Sequence, residues 1–158
     1  MLTHLFRPAL PSRADVLARA QALGIPAAEA EATAGLVTLI AELSALDRGR
    51  RVHGAADHRY RLRPPVPRAR VEAFEATNGV RLPSAYRRFV LLAGGGGAGP
   101  SYGLAPFPDP SRRLPRIAEP FPGVGTFNTD ADANHQASRR GVLYLGTEGC
   151  DMNWYLVV

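Results

Sequence analysis

Residues 63–104 read RPPVPRARVEAFEATNGVRLPSAYRRFVLLAGGGGAGPSYGL, a run in which helix signals alternate with helix stops. Prolines stiffen its start, and the apolar spacing that follows predicts a helix over residues 68–77. Asn78 and Gly79 end this helix, because both residue types tolerate the left-handed backbone conformation. The stretch therefore predicts a short helix that stops sharply and leads directly into another.

The second helix begins near Pro83, which suits the first helical position. Its apolar side chains recur at helical spacing and form one stripe: Tyr86, Phe89, Val90 and Ala93. We expect this stripe to pack against Val71 and Phe74 of the preceding helix. The glycines at 94–97 end the second helix.

Gly94, Gly96 and Gly99 match the dinucleotide-binding pattern letter for letter. That pattern binds phosphate when it follows a strand and opens a helix, because the helix N-terminus then faces the pyrophosphate. Here the glycines follow a helix, Pro100 interrupts them, and no Lys-Ser/Thr pair comes next. We interpret the run as a turn and expect no cofactor.

Two helices are predicted upstream, over residues 13–23 and 26–49. Ser12 is a natural N-cap for the first, with Asp15 three residues later. On the second helix, helical spacing predicts a packing stripe of Leu36, Leu39, Ile40, Leu43 and Leu46. Residues 58–62 alternate polar and apolar side chains and predict a short strand.

The C-terminal part predicts an irregular loop followed by two strands. Six prolines lie within residues 105–123, which favours a loop on the surface. Residues 141–145 and 152–158 are typical of strands and are joined by a turn at Glu148 and Gly149. The second strand alternates Met152, Trp154, Leu156 and Val158 against Asn153, Tyr155 and Val157. Because its end is apolar and would be left unpaired, we expect a further C-terminal piece to be missing.

Composition favours a single cytoplasmic domain with its own core. The chain has 158 residues, one cysteine (Cys150) and no apolar run near the roughly 20 residues that span a bilayer. The net charge is +5, and all 19 basic residues are arginine, which indicates codon bias. Residues 48–70 hold eight arginines against one aspartate, whereas residues 128–158 hold four acids against two arginines. This uneven distribution of charge can steer the approach of a binding partner, but it does not identify the partner.

Possible reactive groups do not combine into a known site. Residues 130–134 resemble a calcium loop, but His135 replaces its glycine and Gly141 its final glutamate. Cys150 and His135 could form a nucleophile and base but lack a local signature, and a lone cysteine is more often buried. His53 and His58 have no partners at zinc-ligand spacing. We expect no catalytic residues and no metal.

Three segments in order carry a family resemblance: VEAFEATNGVRLPSAYRRFV at 71–90, GGGGAGPSYGL at 94–104 and GVLYLGTEGCDMNWYLVV at 141–158. Together they resemble the SMI1/KNR4 superfamily, also called SUKH. The resemblance implies an α+β fold with helices packed on a predominantly antiparallel sheet. It implies an SMI1/KNR4-like domain over residues 48–158, incomplete at its C-terminus, preceded by an N-terminal helical elaboration over residues 1–47.

The resemblance implies protein binding and no enzymatic activity. Bacterial members resemble immunity proteins that cover the active site or substrate groove of a cognate toxin domain, often a nuclease. Fungal relatives suggest an alternative, a regulatory scaffold, and the arginines of residues 48–70 leave a third, less favoured reading, a nucleic-acid binder. Of Trp154 and Tyr155, the exposed one is a candidate contact. The candidate partner-binding residues are Tyr102, Asp130, Asp132, Glu148, Asp151 and Tyr155.

Overall fold

The computed structural model describes residues 10–123, 140–150 and 152–158, and these form an α+β fold. Within them the chain has five helices and one two-stranded antiparallel sheet. In chain order the elements are α1 (Arg13–Ala22), α2 (Ala27–Leu46), α3 (Ala55–His58), α4 (Arg68–Asn78), α5 (Ser84–Leu92), β1 (Val142–Gly149) and β2 (Met152–Val157).

The capping residues predicted for α1 are confirmed. Ser12 Oγ accepts a hydrogen bond from Asp15 N at 3.1 Å, and Ser12 N donates to Asp15 Oδ2 at 2.8 Å. These two hydrogen bonds satisfy the backbone N–H groups of Ser12 and Asp15, which would otherwise lack partners at the start of the helix. Helix α1 then packs against α2, and both contact α5.

The packing stripe predicted on α2 is wrong except at Ile40. The buried face consists instead of Ala30, Thr33, Ala34, Val37 and Ile40. Leu36, Leu39, Leu43 and Leu46 are 43%, 49%, 40% and 84% exposed. Small side chains let neighbouring helices approach closely, so α1 and α5 pack on the alanine-rich face and leave the leucines outside. The helix also ends at Leu46, three residues before the predicted stop.

Helices α4 and α5 form the predicted pair. Val71 and Phe74 are fully buried, and Phe89 and Val90 face the interior beside them. Leu91 and Leu92 are buried as well, although neither belongs to the predicted stripe. The end of α5 is buried because α1, α2 and α4 all contact this helix.

Asn78 fastens the proline-rich loop to the end of α4. Only Gly79, with φ +64°, takes the left-handed conformation predicted for both residues. The Asn78 side chain is 8% exposed, and its amide nitrogen donates to the carbonyls of Phe74 (3.0 Å) and Arg112 (3.1 Å). Its amide oxygen accepts from Leu114 N at 2.8 Å. This one side chain therefore anchors the loop across 36 residues of sequence.

The strand predicted over residues 58–62 is wrong. Residues up to His58 belong to α3, and Arg59 and Tyr60 have φ values of 51° and 55°. Left-handed backbone at two successive positions cannot continue a strand. Leu62 alone makes an antiparallel bridge, with Gly97 as its partner.

The glycine run lies between two other backbone segments. Gly97 N donates to Leu104 O at 2.9 Å, and Leu104 N donates back to Gly97 O at 2.6 Å. On the other side, Arg63 N donates to Gly96 O at 2.8 Å. A Cβ added to Gly97 would overlap the Arg61 carbonyl oxygen, so glycine is needed there for close backbone approach.

The predicted hairpin of β1 and β2 is confirmed, and β1 extends four residues further than predicted. The turn predicted at Glu148 and Gly149 is wrong, because both residues belong to β1 and Gly149 pairs with Met152. Leu143 pairs with Leu156 and Tyr144 with Tyr155, and a register shift follows before Gly146 pairs with Trp154. Ala105 N donates to Leu145 O at 2.6 Å, which joins the hairpin to the segment after the glycines. The hairpin is thereby fixed to the helical part of the molecule.

A single hydrophobic cluster includes side chains from α1, α2, α4, α5 and β1. Leu156 and Val158 pack against it from the hairpin. Loop residues 105–123 are irregular, as predicted, and contribute Phe107 and Ile117 to the cluster. The division of the chain at residue 47 stays a prediction.

We expect Asn78→Ala to lower the free energy of unfolding by about 2–3 kcal/mol, because buried carbonyl and N–H groups lose their partners. Asn78→Asp should cost at least as much, since a carboxylate cannot donate to the Phe74 and Arg112 carbonyls. Urea unfolding measures both. The exposed control Ala73→Ser should change stability by less than about 0.5 kcal/mol. Equal stability of Asn78→Ala and the control would contradict the anchoring role.

Gly97→Ala should lower the free energy of unfolding by about 4 kcal/mol or prevent folding, because the added methyl overlaps backbone. The matched control is Gly24→Ala. Gly24 also has positive φ, but nothing lies within 4 Å of an added Cβ there, so only the left-handed strain of about 1–2 kcal/mol applies. Thermal and urea unfolding of both variants give the comparison. Similar losses at the two positions would argue against the close approach.

Candidate protein-binding surface

Tyr102 lies at the turn end of the β1–β2 hairpin, beside His53. The two rings are 5.0 Å apart and meet edge to face at 66°. His53 Nε2 is 3.4 Å from the Glu148 carbonyl oxygen. A Cβ built on Gly149 would be 3.1 Å from the Tyr102 ring, so the ring rests on the hairpin backbone. Residues distant in sequence thus meet at one place.

Met152 and Trp154 are on the same face of the hairpin as Tyr102. Trp154 pairs with Gly146, where a Cβ would overlap the Gly103 carbonyl oxygen, and Met152 pairs with Gly149, against which Tyr102 rests. Cross-strand partners project to the same side of a sheet, so both side chains lie on the side of the hairpin against which segment 102–103 packs. Tyr102, Trp154 and Met152 are 43%, 43% and 54% exposed.

We call His53, Tyr102, Glu148, Met152 and Trp154 the hairpin-end surface. Tyrosine and tryptophan are enriched among residues that dominate binding energy in protein interfaces, and methionine is enriched in interfaces generally. Glycines on β1 make the surface possible, because side chains at 146 and 149 would push segment 102–103 away. The arrangement presents apolar and aromatic area with hydrogen-bonding groups at its edge.

The turn that carries Tyr102 is held by backbone contacts. Gly103 N donates to Pro100 O at 2.8 Å, and Ser101 has φ 48°. A Cβ on Gly54 would overlap the Ser101 carbonyl oxygen, so segment 53–54 lies directly against this turn. A contact residue on a fixed turn loses little conformational entropy on binding, which favours affinity.

Tyr155 lies on the opposite face of the hairpin. Its ring is 5.8 Å from that of Tyr144, its cross-strand partner, at an angle of 69°. Both rings line a groove of about 600 Å³ between the hairpin and the proline-rich loop. Arg112 and Arg113 line the same groove.

The structure therefore joins Tyr102 and Glu148 in one surface and separates Tyr155 from them. Of the aromatic pair, Trp154 is exposed and Tyr155 half-buried, so the criterion of exposure favours Trp154. Asp130, Asp132 and Asp151 lie outside the described residues. Sequence reasoning missed His53 and Met152. The alternation of β2 already placed Met152 beside Trp154, but no signal in the sequence linked His53 to the hairpin.

The possible reactive groups named from the sequence are Cys150, His135 and residues 130–134. Cys150 is an exposed free thiol in the hairpin turn, so the expectation of a buried cysteine is wrong. The reason is local: Cys150 lies in the turn between β1 and β2, with φ 48°, and not in a strand that packs on the core. His135 and the calcium-like residues 130–134 lie outside the described residues. In the described part of the chain, no group of three or more His, Cys, Asp or Glu could hold a metal ion.

Asp47 fixes the start of the arginine-rich segment. Its carboxylate accepts hydrogen bonds from Tyr60 Oη (2.7 Å), Arg51 N (2.7 Å) and Val52 N (3.2 Å). The Tyr60 hydroxyl first, and then the backbone N–H groups, hold the pKa of Asp47 below its ordinary value. The same contact raises the pKa of Tyr60. The carboxylate thus closes the turn that follows α2.

The arginines of this segment face solvent. Arg48, Arg50, Arg51, Arg59 and Arg63 are exposed, and none forms an ion pair with a residue that the structure describes. Uncompensated guanidinium groups create a positive potential that can attract acidic partners. This basic area adjoins His53 in sequence.

No known family, curated protein or solved structure matches the chain when it is compared with each of these sets. The SMI1/KNR4 resemblance stays a prediction. Among the described residues, none of the helices combines the length and apolar character needed to cross a membrane.

We expect Asp47 to stabilise the fold at neutral pH and to lose this effect in acid. Its pKa is lowered by folding, so its contribution is present above the ordinary value of about 3.8 and disappears as pH falls through the folded-state pKa. Asp47→Asn should therefore melt below the wild type at pH 7, with a gap that narrows toward pH 3. Melting temperatures across this range measure the gap. A gap that is constant with pH would contradict the role of the charge.

Proposed function

We propose that this protein is a non-enzymatic protein-binding module of SMI1/KNR4 type, which neutralises a cognate toxin domain by covering its active site or substrate groove. The single observation that carries the proposal is the hairpin-end surface, where Tyr102, Trp154 and Met152 are exposed together. The order of the sequence segments at 71–90, 94–104 and 141–158 supports the family, and the α+β architecture is compatible with it.

The chemistry of this surface suits binding through packing more than through charge. Its large members are apolar or aromatic, and Glu148 is the one acidic residue among the five. Salt screens exposed charges strongly and apolar burial hardly at all. The complex with the toxin should therefore persist at salt concentrations that dissociate a charge-driven complex.

A second candidate, nucleic-acid binding, is favoured by one observation, the exposed arginines of residues 48–63. Binding of this kind weakens steeply with salt because phosphate contacts release counterions. Titration of a short duplex at low and at high salt distinguishes the two functions. Duplex binding that salt abolishes would support the second candidate, and no binding at low salt would remove it.

The proposed function is tested by co-expressing the protein with the toxin domain encoded beside its gene and scoring survival and co-purification. Tyr102→Ala and Trp154→Ala should each weaken the complex by about 30-fold or more, as expected for central contact residues. Tyr144→Ala is the matched control, because Tyr144 is 45% exposed but lies on the other face of the hairpin. It should leave binding nearly unchanged.

Two results would overturn the proposal. One is the absence of rescue and of complex formation by a wild-type protein that circular dichroism shows to be folded. The other is a toxin complex that tolerates Tyr102→Ala and Trp154→Ala but not Tyr144→Ala. The second result would move the contact to the groove beside Tyr155.

A further inference from the structure

Helix α2 carries a row of exposed leucines with the spacing of a helix–helix interface. Leu36, Leu39, Leu43 and Leu46 follow one another at intervals of three, four and three residues, and each is at least 40% exposed. This spacing is that of the a and d positions in a coiled coil, where side chains of one helix fit between those of another. We call these four residues the leucine row.

The same face is shallow in the first half of the helix. Ala28, Ala32 and Gly35 are exposed there, and Ala32 continues the spacing of the row toward the N-terminus. Nothing lies within 4 Å of a Cβ added at Gly35, so the space beside the backbone is open. The leucine row therefore projects from the second half of this face. In the first half, Ala28, Ala32 and Gly35 leave space that leucine side chains of another helix could fill.

A second copy of α2 fits this shape if the two helices run antiparallel. When Leu43 of one copy lies over Ala32 of the other, Leu46 comes opposite residues 28–29. Leu36 of each copy then lies opposite Leu39 of the other copy, close to the two-fold axis. The two 20-residue helices overlap over nearly their whole length in this alignment. The contact is self-complementary, as a two-fold interface requires.

The charges favour the same orientation. Helix α2 contains no basic residue, it carries Glu29 and Glu31 in its first half and Glu42 in its second, and three exposed arginines follow its end at 48, 50 and 51. Glu29 and Glu31 pair with Arg88 and Arg13, yet their side chains remain 51% and 44% exposed. Antiparallel packing brings the arginines of each copy to the acidic end of the other helix. A parallel pair would place like charges together.

We infer that the leucine row is a homodimer interface, with the second copy packed antiparallel through α2. This inference does not depend on the proposed function, because it uses a different surface from the hairpin end. The dimer is a two-fold pair that leaves Tyr102 and Trp154 outside the α2 contact.

Sedimentation velocity of the full chain over a concentration series tests the inference. The wild type should show a concentration-dependent dimer. Leu39→Arg and Gly35→Arg should each raise the dissociation constant by about 30-fold or more, and Gly35→Arg should not lower the melting temperature of the monomer because its site is open. Ala45→Arg is the control, since Ala45 is exposed on α2 outside the leucine row, and its dimer should persist.

Disulfide trapping tests the orientation. Ala32→Cys and Leu43→Cys are each combined with Cys150→Ser, which removes the native thiol. An equimolar mixture should give a cross-linked heterodimer under mild oxidation, whereas each variant alone should give none. In the antiparallel pair, two copies of position 43 are about 16 Å apart along the axis, well beyond the roughly 7 Å that a disulfide spans between Cα atoms.

Three outcomes would overturn the inference. The first is a wild type that stays monomeric up to about 500 µM, a concentration at which even a weak pair would be populated. The second is a dimer that both Leu39→Arg and Gly35→Arg leave intact. The third is a disulfide between two copies of the same variant, with none between the Ala32→Cys and Leu43→Cys variants. That result would indicate a parallel pair.

Discussion

The close approach of three backbone segments at the glycine run is the constraint on which the rest of the structure depends. Gly97 contacts the segment of Leu62 on one side and that of Leu104 on the other, with no room for a side chain. The segment after Leu104 bonds to β1, and the segment before it carries Tyr102. The hairpin, the helices and the candidate surface are therefore positioned by contacts that only glycine permits. The glycines that match the dinucleotide-binding pattern serve here to let three backbone segments pack closely together.

Local signals in the sequence predicted the elements better than they predicted the faces those elements bury. The α4–α5 pair and the hairpin follow from capping, turn residues and alternation, all of which act within a few residues. Helix α2 is apolar on most of its surface, so periodicity could not decide which side the core would take. The alanine-rich side is buried because close neighbours require small side chains, and this depends on where α1 and α5 lie. Tertiary packing thus reversed the interpretation of the leucines.

The candidate site shows the same limit at longer range. Tyr102 and Glu148 are among the contact residues proposed from the sequence, but their meeting with His53 joins positions 95 residues apart. No spacing rule connects such positions, because the junction at the glycine run brings them together. The candidate Tyr155 follows Trp154 in the sequence, and alternation along β2 puts the two side chains on opposite faces. The hairpin register decides between them, and it includes shifts that a strict period of two does not contain.

Cys150 gives the hairpin turn a chemical handle. It is the one cysteine of the chain, it is exposed, and it immediately follows Gly149, on which the Tyr102 ring rests. A maleimide dye coupled to the unmodified protein would therefore carry its fluorophore at the margin of the hairpin-end surface, at one defined position and without mutagenesis. Arrival of a protein at that surface would change the mobility and solvent exposure of the dye. The turn is in this sense a natural site for an optical reporter of complex formation.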